Sequence, residues 1–232
     1  MTKDELFVLL EEKFLTYKDL KSTPVAENHE PMVSLKKSGV KFTLLDGLIP
    51  PSTGDDIFVR AGVSEKLKKA QLMIADLIDG CVLDIVYGYR SLAVQKNSYE
   101  EFRHIISNQP NPPTSEDELN EAIHRLVAVP EVAGHPTGGA VDVRIIDKDG
   151  KELDMGTPAH NFEKESYTFN PFLSKQVWDN RQKLRQTMLG LGFAPFDGEW
   201  WHFSYGDREW ATYYKKPHAI YDQIDLDSVL KS

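Results

Sequence analysis

Apolar positions along the chain switch between a helical and a strand period, and those switches predict the order of elements. Residues 1–16 carry Leu6, Leu9, Leu10 and Phe14 at helical spacing behind acidic residues, which predicts an amphipathic helix on the body. Segments 38–48 and 55–60 predict short strands separated by the turn Pro50-Pro51-Ser52-Thr53-Gly54. Ser64 reads as the N-cap of a helix through Leu67, Ala70, Ile74 and Leu77 that stops at Gly80. The run Cys81 to Tyr87 predicts a strand that ends at Arg90, and Ser91 caps a helix over 92–106. A polar, Pro-rich loop over 107–117 leads into a short helix with Leu119, Ala122, Ile123 and Leu126, where His124 is structural or exposed.

Strict alternation returns at 139–147, with Val141, Val143 and Ile145 on one face and Ala140, Asp142 and Arg144 on the other. Asp147-Lys148-Asp149-Gly150 predicts a turn back into 151–154, and 154–171 has little periodicity and reads as a binding loop. Pro171 to Leu191 predicts a helix with Phe172, Val177, Trp178, Leu184, Met188 and Leu189 mainly on one side. Residues 193–215 read as strand-turn-strand, with Gly198 to Tyr205 at the centre of the first strand, and 217–232 as a polar tail.

Composition narrows the class. A chain of 232 residues, 41% hydrophobic and 27% charged, is that of a soluble globular protein large enough to bury a substantial core. Its formal charge of −9 argues against nucleic acid or an anionic membrane as a partner. No apolar run approaches the ~20 residues that span a bilayer, and the N-terminus has no signal-peptide core, so a cytoplasmic address is expected. Cys81 is the only cysteine, which excludes an intrachain disulfide and a cysteine metal site, and its apolar surroundings predict a small core residue. No obligate protein partner is inferred.

The candidate chemistry lies in three segments. Gly134-His135-Pro136-Thr137-Gly138-Gly139-Ala140-Val141-Asp142 puts a histidine on a Gly/Pro turn and an aspartate in the strand that leaves it. Singly these are ordinary loop residues, because Asp and Gly are favoured beside turns. Joined by His202, they offer two nitrogens and one oxygen to a zinc ion and leave a position open. Glu199 then suits a general base, and Arg90 suits an oxyanion, although alone it reads as a surface salt bridge. Positions i and i+3 of a regular strand face opposite ways, so Glu199 and His202 can share a cleft only if pairing is irregular around 198–202. There is no His-Glu-x-x-His and no Gly-x-Ser-x-Gly, which sets aside the helix-borne zinc site and the serine elbow.

The spacing His135-x-x-Gly138-x-Ala140-x-Asp142, followed by Glu199-x-Trp201-His202, resembles the zinc D-alanyl-D-alanine dipeptidases of the VanX type. Gly88-Tyr89-Arg90 and Asp154-Met155-Gly156-Thr157-Pro158 resemble the same family in the same order, and the similarity spans roughly 55–215. The resemblance implies an α+β fold shared with D-Ala-D-Ala carboxypeptidases and the hedgehog signalling domain. An antiparallel sheet would carry the zinc site in a cleft, with helices packed around it. It implies one zinc ion per chain on His135, Asp142 and His202, with Glu199 as base and Arg90 stabilising the transition state. One metallopeptidase domain over 1–232 is expected, its catalytic core at about 55–215, with the N-terminal helix and 107–130 as family-variable excursions.

Three positions that the resemblance associates with a dipeptide's ammonium depart from the pattern. Tyr87 stands where an acid is expected, Ala133 where a serine is, and His160 where a second acid is. These three, with Trp201, are the expected substrate contacts. An unpaired ammonium is costly to bury, so the hydrolytic groups look intact while recognition of the dipeptide end looks altered. The reading is zinc-dependent hydrolysis of a D-Ala-D-Ala-type dipeptide or another small peptide containing D-amino acids. The alternatives are a D,D- or L,D-carboxypeptidase or amidase on a longer or N-blocked peptidoglycan-derived peptide, and a non-catalytic zinc-bearing binding module.

Overall fold

The computed structural model describes residues 2–45 and 53–229. In chain order the elements are α1 (Lys3–Glu11), α2 (Tyr17–Ser22), β1 (Met32–Ser34), α3 (Leu35–Ser38), β2 (Phe58–Arg60) and α4 (Ala61–Leu77). Next come β3 (Cys81–Tyr87), α5 (Leu92–Ser107), α6 (Glu116–His124) and β4 (Ala140–Asp147). The chain closes with α7 (Lys175–Gly190), β5 (Ala194–Pro195), β6 (His202–Ser204), α8 (Arg208–Tyr213) and α9 (Leu226–Val229). This is an α+β fold. Strands β1 and β2 pair as a small antiparallel ribbon, and the main antiparallel sheet has the order β3-β4-β6-β5.

Strand β4 is central because its alternation serves two surfaces. Val141, Val143 and Ile145 are fully buried in the main core with Val63, Leu67, Ala70 and Ile74 of α4 and with Leu184 and Met188 of α7. On its other face Arg144 lies opposite Asp84 of β3 in register and donates to it through Nε at 2.9 Å. Asp84 has no exposure, so this pair supplies the partner that a buried carboxylate requires. Between Ile85 and Tyr87 the register with β4 shifts, which brings Tyr87 opposite Asp142. A bulge of this kind re-aims a side chain next to a site.

A second apolar cluster stands apart from the main core. Tyr17 and Leu20 of α2, Tyr99 and Ile106 of α5, Leu119 and Ile123 of α6, and Val129 and Val132 beyond it bury one another. Ser91 caps α5 and a Ser115/Glu118 capping box starts α6, as their sequence signals require.

Several expectations need correction. Helix α4 starts at Ala61, and Ser64 is a buried interior residue of it. The first amides are met by Pro31 O and Glu30 Oε1, at 2.9 and 2.8 Å, so tertiary acceptors replace the cap. The stretch 38–45 is no strand; Phe42 makes an isolated bridge to Ile85, and residues 46–52 of the expected strand and turn lie outside the described residues. The anchor of α1 is Phe7, edge-on to Tyr167 at 5.6 Å, whereas Leu9 is exposed. Helix α7 begins at Lys175 behind its Ser174 cap, which leaves Phe172 exposed. Cys81 is half-buried at the margin of the core. Residues 193–215 form two very short strands and the helix α8, because 196–201 are spent on turns. The C-terminal segment is packed: Ala219, Tyr221 and Leu226 are buried, and Val25 bridges Ala219.

Two buried arginines hold the irregular segments. Arg60 donates to Thr137 O, the Glu27 carboxylate, Glu30 O and Asp222 O, tying the 134–138 turn to both the N-terminal strap and the C-terminal segment. Arg181 of α7 donates to Met155 O, Tyr167 O and Glu165 O and so pins the 154–171 loop. His124 is buried in the second cluster, where its Nδ1 accepts from the Val129 amide at 3.3 Å. Burial pushes its pKa down to about 4. The unfolded chain takes up a proton near pH ~6.5 and the folded chain does not, so stability is lost as pH falls from that value towards 4. Over that window His124→Gln should lose about 3 kcal/mol less than the parent protein. Urea unfolding at several pH values measures the difference.

Candidate metal centre

The turn that carries His135 has the form its glycines and proline dictate. His135, Pro136 and Thr137 form a single 3-10 turn, and Gly138 closes it at φ +74, a left-handed conformation that suits glycine. His135 is buried, with Nδ1 2.8 Å from Gly88 O. A carbonyl only accepts, so Nδ1 carries the proton and Nε2 is left with its lone pair, 3.5 Å from Asp142 Oδ2. Asp142 projects from β4 opposite His202 of β6, whose Nδ1 lies 3.0 Å from Asp142 Oδ1. His135, Asp142 and His202 each offer one ligand atom, and these atoms lie within 4.8 Å of one another.

Burial holds His135 neutral, with its pKa pushed down to about 4, the state a ligand must have. Burial opposes the charge on Asp142, yet the surrounding histidines keep its carboxyl well below the usual range. Two imidazole nitrogens and a carboxylate oxygen in one cleft fit zinc with a position open, and each histidine's other nitrogen is engaged. For His202 that partner is Glu209 of α8, with Oε2 3.6 Å from Nε2.

Glu199 and His202 share the cleft through two consecutive turns. Glu199 N–H donates to Phe196 O and His202 N–H donates to Glu199 O, so 196–202 is irregular, as the shared site demands. Glu199 is half-buried, and desolvation raises its pKa to about 7. Arg90 follows β3 and lies over the Tyr87 ring at 4.7 Å. Its Nε donates to the Tyr87 hydroxyl and its Nη1 to Gln95 Oε1, at 3.3 and 3.0 Å. Tyr87, Ala133 and His160 line the same cleft of about 500 Å³ with the three ligand candidates, Glu199 and Arg90. His160 does not join the ligand group; its Nε2 lies 2.9 Å from Asp142 Oδ2, and its Nδ1 is buried without a partner. Trp201, the fourth expected substrate contact, has no exposure and packs its ring against those of His160 and Phe162.

The sequence pattern described as D-ala-D-ala dipeptidase matches residues 40–223 of the chain. The chain belongs to this family. It is therefore a metallopeptidase, and zinc is the metal of the D-Ala-D-Ala dipeptidase family. The D-alanyl-D-alanine dipeptidase of Synechocystis is 27% identical over 232 residues, covering 87% of this chain and 92% of that protein. The Escherichia coli D-alanyl-D-alanine dipeptidase is 33% identical over 78 residues, 34% of this chain and 40% of that protein. Among solved structures, the LD-carboxypeptidase LdcB has a TM-score of 0.45 at 17% identity, covering 89% of this chain and 79% of its own. VanYB in complex with D-alanine-D-alanine has a TM-score of 0.41 at 19% identity, covering 83% and 97%.

Sequence reasoning missed Glu209 and Gln95. The signal for Glu209 was an acid seven residues after His202 in the first turn of a helix, and for Gln95 a polar residue on the buried side of α5. Removal of a carboxylate that orients a ligating histidine costs about 10- to 100-fold in metal affinity. Glu209→Ala of this dipeptidase-family chain should show that loss in zinc competition titrations, and His202→Ala should fall well below one zinc per chain in metal analysis.

Proposed function

We propose that the chain hydrolyses the terminal peptide bond of a D-Ala-D-Ala-type substrate whose amino group is blocked or carries a further residue. The observation that carries this reading is the cleft wall made by Tyr87, Ala133 and His160, which holds no carboxylate. The acids that line the cleft lie elsewhere or are engaged: Asp142 with three histidines, Glu209 with His202, Glu199 as the base, and Glu101 exposed on α5. A free ammonium would enter this wall without a counter-charge, at the cost of desolvating an unpaired ion. The relatives' names as D-alanyl-D-alanine dipeptidases support the reaction class and a D-Ala-D-Ala end.

His135 Nε2, the Asp142 carboxylate and His202 Nδ1 would hold the zinc ion. When bound, zinc supplies Lewis-acid polarisation and makes water a stronger acid. Glu199 takes a proton from the attacking water and delivers it to the departing amine. Its raised pKa, near neutrality, suits both halves of that transfer. Arg90, steadied by Tyr87 and Gln95, keeps further N–H donors for the carbonyl oxygen as negative charge builds on it. No helix among the described residues is long and apolar enough to cross a membrane. A cytoplasmic address remains the reading that the acidic, cysteine-poor composition supports.

Glu199→Gln should lower kcat by at least about 100-fold, with zinc content unchanged in metal analysis. Unaltered turnover in the zinc-loaded variant would reject the base assignment. Initial rates on free D-Ala-D-Ala, N-acetyl-D-Ala-D-Ala and a longer peptide with the same end test the specificity. The blocked or extended forms should be preferred by about tenfold or more, given the cost of burying an unpaired ammonium. A strong preference for the free dipeptide would sink this reading.

A further inference from the structure

The cleft that holds the candidate ligands has two walls from different parts of the fold. One wall is the sheet. The other, which lines one arm of the cleft, is the outer side of the second apolar cluster, formed by Phe102 of α5, Leu126 and Val127 after α6, and Val132 next to Ala133, with Val94 of α5 beside them. Val94, Phe102, Leu126 and Val127 are half-buried, so their remaining surface faces the cleft. Positions 94, 98 and 102 follow one another at one helical turn, which lays a single face of α5 along this arm. Ser98 and the exposed Glu101 make its polar rim.

Inside its rim the arm offers nothing to a charged terminus. Among the described residues Arg90 is the only Lys or Arg that lines the cleft, and it is held back at Tyr87 and Gln95. Gln95 is itself spent, since its Nε2 donates to Ala128 O at 2.7 Å. His124, deeper in the wall, has its Nδ1 lone pair engaged by Val129 and is held neutral by burial. A peptide carboxylate placed here would meet apolar carbon, and so would an ammonium seated anywhere inside the rim.

We infer that this arm is a subsite for a neutral apolar group, an acyl chain or apolar side chain, attached on the amino side of the scissile residue. The inference rests on the blocked-amine reading above, and Ala133 is where the two meet: it closes the carboxylate-free wall and opens onto Val132. The enzyme is thereby matched to an N-acylated substrate and not merely tolerant of one.

The test compares N-acetyl-D-Ala-D-Ala with N-hexanoyl-D-Ala-D-Ala on the zinc-loaded enzyme. It reads kcat/KM on the parent protein and equilibrium binding by calorimetry on Glu199→Gln. Full burial of one methylene is worth about fourfold, so four half-buried ones should favour the hexanoyl substrate by about fifteenfold. Val94→Asp should bring that ratio down to about one. Val94 is the third residue of α5, where an acid complements the helix dipole, so the helix is retained. Ser98→Phe, which fills the arm from its rim, should also abolish the preference.

A flat ratio in the parent protein overturns the subsite, as does a ratio that both variants leave unchanged. A gain produced by enlarging the C-terminal residue in place of the acyl chain also overturns it, by assigning the arm to the other end. Hydrolysis of the free dipeptide alone overturns the blocked-amine reading. The binding ratio on Glu199→Gln then still reports on the arm by itself.

Discussion

A carboxylate at the middle of a central strand, 2% exposed, is the constraint around which this molecule is arranged. Left unpaired there, the Asp142 charge would cost several kcal/mol, and β4 cannot turn it to solvent without pulling Val141 and Val143 out of the core. The chain meets that demand from three directions. The 135–137 turn brings His135, β6 brings His202 and the 154–171 loop brings His160, each to an oxygen of the same group. The features that look irregular in isolation are the means. The bulge at 85–87 sets Gly88 O under His135, and the double turn at 196–202 lets Glu199 and His202 face one way.

Those irregular segments carry few ladder hydrogen bonds of their own, and two arginines stand in for the missing sheet. Arg60 and Arg181 are each almost fully buried, and each spreads its fork of donors over backbone carbonyls of a loop that holds a site residue. A guanidinium can do this where an ammonium cannot, because five N–H groups in a fixed plane satisfy several acceptors at once. The geometry of the candidate ligands is thus coupled to packing far from the cleft. Through Arg60, the C-terminal segment at Asp222 and the strap at Glu27 both bear on the turn that holds His135.

The legibility of the sequence follows the range of the forces involved. Helices α5 and α6 were readable because their caps are local, and β4 because its alternation serves two surfaces within eight residues. The start of α4 was not readable, since its first amides are met by Pro31 and Glu30, some thirty residues away. Strand length at 193–215 was overestimated because aromatic content signals burial as much as it signals sheet. Trp200 and Trp201 are buried in turns. The C-terminal segment lacks periodicity because Tyr221 and Leu226 pack singly, without any repeating face.

The same distinction separates the reaction from its substrate. The candidate ligands and the proposed base and oxyanion donor sit in short motifs whose spacing is fixed by one turn and one strand pair, so they can be read along the chain. The wall proposed to choose the substrate is assembled from α5, the segment after α6 and the loop at 160, which meet only in the folded molecule. Tyr87 shows how the two sets interlock. Where an acid would offer charge to a ligand, its hydroxyl accepts from Arg90 and its ring stands edge-on to His135 at 5.3 Å. The tyrosine places no counter-charge on that wall and ties Arg90 to His135. The proposed change of specificity and the proposed chemistry thus meet at one residue.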